Sequence, residues 1–167
     1  GAEFPRGILR SNANCGPIAT ALKNETLPAL GQTSGLFPAP WGDIDSLAQF
    51  NADVANATKA LDLAKKMGVP EFYYESLVTH GYITALRALY ELNILIVNNY
   101  VAPANRPLAA NYFYIYCAGM NQAKEALEDW EMAIAGMVYR VPTTVQTCAD
   151  EIAQMTAYAS QLGCPIS

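Results

Sequence analysis

From Leu108 to Tyr139 the chain sets apolar residues three and four apart: Phe113, Tyr116, Met120, Ala123, Leu127, Trp130, Ile134 and Met137. So long an unbroken alternation fits an α-helix, whose turn of about 3.6 residues stacks those positions on one side. Near its start, "ANYFYIYCAGM" (Ala110 to Met120) adds Tyr112, Tyr114 and Ile115 off the seam, which makes this part apolar all round. Helices apolar on every side are normally buried ones, so the fold must supply a cover here.

The same spacing predicts three more long helices. One starts near Asp43, carries Leu47, Phe50, Val54, Ala57, Leu61 and Ala64, and stops at Gly68 with Pro70 beyond. The next begins at Pro70 or Glu71 and carries Val78, Tyr82, Ala85, Leu89, Leu92 and Ile96, as far as the proline-rich "VAPANRP". After Pro142, Thr143-Thr144-Val145-Gln146 has the form of a capping box. The helix it opens carries Val145, Cys148, Ile152, Met155, Ala159 and Leu162, closed by Gly163 and Pro165. A shorter helix over Pro17 to Leu30 and a loop, "GQTSGLFPAPWG", come first. Short connections between long helices make neighbours antiparallel. The expectation is an all-α, up-down-up-down four-helix bundle with a short N-terminal helix and a covering loop. Residues 1–10 read as an N-terminal extension, with "GAEF" a processed start or cloning scar, and 11–167 as one domain.

A chain of 167 residues is long enough to bury its own core. Its formal charge of -5 and scattered ten Lys and Arg residues argue against nucleic acid, which needs a basic stripe. No charge-free run reaches the roughly 18 residues of a membrane span. Four cysteines, Cys15, Cys117, Cys148 and Cys164, have no metal-type spacing. An even count of this kind predicts two disulfides and a secretory route. The sequons at Asn24 and Asn56 agree, and Asn56 falls on the solvent side of its helix.

A hairpin turning at Val141 fixes the pairing. Cys117 lies 24 residues before that point and Cys164 lies 23 after it, so the two share a level. Cys148 is too near the turn to reach Cys117, since a disulfide needs α-carbons within about 7 Å. The expected pairs are Cys117–Cys164 and Cys15–Cys148. The second would bring Leu36, Phe37, Pro38, Pro40 and Trp41 over Tyr112 to Tyr116.

Catalytic patterns are sparse. His80 is the sole histidine, five residues from Glu75, a poor spacing for two groups on one helical face. A lone histidine in a helix reads as structural, because catalysis needs a constellation. Nucleophile elbows, phosphate loops and dinucleotide fingerprints are missing, so neither enzyme activity nor a cofactor or metal is expected. Glu125, Glu128, Asp129 and Glu131, with Lys124 beside them, read as a solvated helix face or an acidic surface for a partner. Tyr82, Tyr90, Tyr100, Tyr112, Tyr114, Tyr116 and Tyr158 ride on the bundle helices, and a buried tyrosine needs a partner for its hydroxyl. The candidate partner or ligand surface is therefore Trp41, Tyr90, Tyr112, Tyr114 and Tyr116 at one end, and Glu125, Glu128 and Asp129 along one face. Two functions fit: a secreted, non-enzymatic module that binds a protein as inhibitor, effector or signal, or a carrier of a small apolar ligand in the tyrosine-rich end.

The stretches "LAQFNADVANATKALDLA" and "YESLVTHGYITALRALYEL" resemble the plant invertase and pectin methylesterase inhibitors. That family implies a secreted four-helix bundle that blocks cell-wall carbohydrate enzymes. The likeness covers about half the chain and rests on Ala and Leu periodicity. It departs at the cysteines: Cys15 stands without the close N-terminal partner of the family pattern, and Leu77 occupies the place of a helix cysteine. No residue role is carried over.

Overall fold

The computed structural model describes residues 18–31, 40–41, 44–98, 103–134 and 141–166, excluding the side chains of 131–134 and 141–144. Cys15, Leu36, Phe37, Pro38, Tyr100 and Met137 lie outside the described residues, and so does the side chain of Glu131. Among those described, every regular element is helical: α1 (Ile18–Lys23), α2 (Leu47–Met67), α3 (Pro70–Val97), α4 (Arg106–Ile134) and α5 (Val141–Gln161), with a 3-10 turn at Pro103–Asn105 before α4.

The helix ends follow local chemistry. Ser46 caps α2 by accepting a hydrogen bond from the Gln49 amide at 3.1 Å, and the Gln49 side chain accepts from the Asp45 amide. Gly68 closes α2 in the left-handed region, with φ of 68°, where a Cβ would be strained. Pro70 then opens α3, which costs no hydrogen bond because a first-turn N–H has no helical acceptor. The first helix is shorter than expected. It ends at Lys23, the chain turns through Glu25 at positive φ, and the Thr26 amide bonds back to the Ala21 carbonyl.

Consecutive long helices pack side by side, α2 on α3, α3 on α4 and α4 on α5. Contacting residue numbers rise on one helix as they fall on the next. Asn51 meets Arg87, Gly81 meets Gly119, Leu77 meets Gln122, Cys117 meets Thr156 and Phe113 meets Tyr158. The α3–α4 contact is the closest. A Cβ on Gly81 would lie 2.5 Å from the Gly119 carbonyl oxygen, and one on Gly119 would collide with the Gly81 carbonyl. Ala85 and Ala123 continue that line, so the two backbones touch where side chains would otherwise separate them.

One core cluster holds α1 together with the long helices: Ile18 and Leu22, Phe50, Leu89 and Leu92, Phe113 and Tyr116, and Met155 and Ala159. A second, smaller cluster gathers Val78, Ala123, Ala126 and Leu127 under Trp130. The short helix α1 packs on α5, and Trp41 ties the segment after α1 to α2 and α3.

Two expectations are corrected here. The fourth long helix begins at Val141, ahead of the expected capping box over Thr143–Gln146, with Pro142 inside its first turn, so that box does not start it. The hairpin therefore turns earlier than Val141. The midpoint between Cys117 and Thr156, and between Phe113 and Tyr158, falls near residue 136. A displaced pivot counts twice across a hairpin, and the expected disulfide fails for that reason. Cys117 faces Thr156, its Sγ 3.9 Å from the hydroxyl oxygen. Cys164 lies beyond the end of α5 at Gln161, past the left-handed Gly163, with its amide bonded back to the Ala159 carbonyl at 2.8 Å, and it is not paired with Cys117. Cys117, Cys148 and Cys164 are all buried free thiols. Cys15, the expected partner of Cys148, is outside the described residues.

Candidate functional site

The sequence-predicted surface does not come together in one place. Trp41 is buried, 4% exposed, and donates its indole N–H to the Pro28 carbonyl at 2.7 Å. Its ring meets Phe50 and Tyr90 edge-on, each at 6.0 Å between centroids. Arg87 lies over Phe50 and Tyr90 and is fixed by Asn51 and Glu91. Of the expected cover, Trp41 thus meets rings of α2 and α3 edge-on, and it shares one core cluster with Phe113 and Tyr116. Within the Tyr112–Tyr116 run Phe113 and Tyr116 are buried, Tyr112 is half-buried and Tyr114 is 53% exposed. Glu125, Glu128 and Asp129 are exposed on α4. Glu128 pairs with Lys124 at 2.9 Å, and Glu125 accepts from Asn121. Asn24 and Asn56 are both exposed.

One buried polar group was not legible from spacing. Glu151 is 2% exposed, and its carboxylate accepts the backbone N–H groups of Ile18 and Ala19 at 3.0 and 3.2 Å. It thus straps the start of α1 to α5. Burial holds its pKa above the usual carboxyl range, opposed by those two N–H bonds. Tyr116 is fully buried, and its hydroxyl has no hydrogen-bond partner among the described residues. Burial, and next the Glu151 charge, push that phenol well above its ordinary value. Burial also pushes the Cys148 thiol up to about 12, so it stays protonated and unreactive at neutral pH.

His80 sits half-buried at the edge of the α3–α4 contact, where its Nδ1 is 2.9 Å from Gln122 Nε2. Desolvation lowers its pKa below the ordinary imidazole value; a Gln122 side chain accepting from the ring would oppose that, Lys65 on α2 adds to it, and Asp62 opposes it. Among the described residues no three His, Cys, Asp or Glu side chains are grouped to hold a metal ion, and no helix is long and apolar enough to cross a membrane.

Large apolar side chains are exposed at both ends of the long helices, with Leu47, Ile94, Val97, Leu108 and Tyr114 toward one end. Around the two-residue turn joining α2 to α3, Leu63 (59% exposed), Met67 (60%), Val69 (38%) and Phe72 (51%) project into solvent. Lys65, Lys66 and Glu71, all exposed, rim them. Leu63 and Met67 share one helical face, four residues apart and off the buried line of Ala57, Leu61 and Ala64. The sequence signal was the presence of large apolar residues outside the seam, which a search for seams passes over. Compared with protein-family models, curated proteins and solved structures, the chain finds no match.

Proposed function

We propose that this chain is a secreted, non-enzymatic binding protein, an up-down-up-down helical bundle that acts on a protein partner as inhibitor, effector or signal. The observation that carries the reading is the apolar tip of Leu63, Met67, Val69 and Phe72. Several large side chains left in water at one end, rimmed by charges of both signs, are the anatomy of a protein-binding patch. The partner surface that fits is apolar at its centre, with mixed charge at its edge. The exposed carboxylates Glu125, Glu128 and Asp129 offer a second, acidic contact face on α4.

The secretory part rests on Asn24 and Asn56, both exposed sequons. A carrier function is the second reading, favoured by the buried Tyr116 hydroxyl without a partner, the kind of polar group that orients a ligand in an apolar interior.

Native mass spectrometry of protein from its natural source tests both. The expected result is a glycosylated chain bound to a protein, and loss of that complex in a Leu63→Glu/Phe72→Glu variant that keeps its helical circular dichroism. A chain carrying a small apolar molecule and no protein would favour the carrier.

A further inference from the structure

His80 and Gln122 close a bridge between α3 and α4 that only a neutral histidine can complete. The Gln122 Nε2 lies 2.9 Å from the Leu77 carbonyl oxygen and 2.9 Å from His80 Nδ1. An amide nitrogen has two hydrogens, so it can serve both acceptors at once. Turning the amide over would set its oxygen against the Leu77 carbonyl, acceptor against acceptor. With the nitrogen so fixed, Nδ1 must accept, and the ring proton sits on Nε2. An imidazolium carries hydrogens on both nitrogens, so protonation sets donor against donor and breaks the bridge on its histidine side.

The site is one where such a break would register. Gly81 follows His80 directly, and its backbone touches Gly119 of α4, three residues before Gln122. The charged groups facing His80 are Lys65 and Asp62 on α2, the first opposing a positive ring and the second favouring it. From α4 the facing group is the uncharged Gln122.

We infer that His80 is an acid-sensitive latch: neutral, it joins α3 to α4 through Gln122, and protonation releases that join beside the glycine contact. Its lowered pKa gives the direction of the effect. A histidine that binds protons more weakly folded than unfolded contributes stability that is complete above the ordinary imidazole pKa. That contribution is lost as pH falls through the folded value. Glu151 titrates in the opposite sense, so overall melting blends the two and the ring itself is the better reporter.

The test uses the full chain labelled with nitrogen-15, in which His80 is the only histidine and gives the only imidazole signals. At neutral pH, long-range proton–nitrogen spectra should show the proton on Nε2 and a bare, hydrogen-bonded Nδ1. The titration midpoint should lie below the ordinary value. Gln122→Glu, which puts a carboxylate at Nδ1, should raise proton affinity about tenfold or more. A proton on Nδ1 at neutral pH, a midpoint at or above the ordinary value, or an unmoved midpoint in Gln122→Glu would each overturn the bridge. For the latch, amide exchange around Gly81 and Gly119, corrected for intrinsic rates, should accelerate several-fold below the midpoint. His80→Asn, which cannot be charged, should lack that step. The same step in both proteins, or in neither, would refute the latch.

Discussion

At the scale of single residues, stability depends on a few positions where one atom decides the contact. Gly119 is the sharpest, because a methyl group there meets the Gly81 carbonyl and the Ala85 backbone. Backbone cannot move aside as a side-chain tip can. Gly119→Ala should therefore destabilise the fold by about 1–3 kcal/mol or more, the usual cost of overpacking, read as a lowered urea midpoint. Glu151 gives the pH counterpart. Burial raises its pKa, so its contribution is full below the ordinary carboxyl pKa and is lost as pH rises through the raised value. Compared with Glu151→Gln, the parent should gain stability as pH falls through that range. Paired urea titrations in acid and at neutral pH measure the difference, and parallel midpoints for the two proteins would contradict it.

At the scale of elements, the account turns on register. Cys117 faces Thr156 because α5 already starts at Val141, so the chain reverses ahead of that residue. A Thr156→Cys variant should accordingly link to Cys117 under mild oxidation, seen by peptide mapping without reduction. Recovery of Cys117 joined to Cys164 would restore the later pivot. The seams themselves were readable: Phe50, Ala57, Leu61 and Ala64 on α2 and Phe113, Tyr116, Met120, Ala123 and Leu127 on α4 are buried as their spacing required. The first turn of α5 was not readable, because Pro142 serves equally well before a helix or within its first turn. That ambiguity was enough to move the cysteines apart. The place of Trp41 was half legible. Its burial followed from its size and apolar character, but its ring neighbours Phe50 and Tyr90 depend on long-range packing that no local spacing encodes. Trp41→Ala should lower stability by about 3–5 kcal/mol, the cost of emptying a buried aromatic site. A variant that melts like the parent would mean that the cover is loosely packed.

At the scale of the whole molecule, the chain buries most of its aromatic and aliphatic seams, but leaves Leu63, Met67, Val69 and Phe72 in water at one end and Leu47, Ile94, Val97, Leu108 and Tyr114 toward the other. The candidate surface drawn from sequence was scattered: Trp41 and Tyr116 are buried, and Glu125, Glu128 and Asp129 remain a solvated acidic face. Off-seam residues such as Leu63 and Phe72 are invisible to a reading that follows the buried stripe, since exposure depends on which neighbours arrive. The central claim is that the end bearing Leu63 and Phe72 meets a protein partner, and site-specific photo-crosslinking tests it most directly. A photoreactive residue would replace Leu63, Phe72, Tyr114 or Glu125 in turn, each in folded protein mixed with material from the natural source. The account expects one protein adduct of defined mass from positions 63 and 72, competed away by unlabelled parent and weak or missing from 114 and 125. Competed adducts from 114 or 125 alone, with none from 63 and 72, would contradict it.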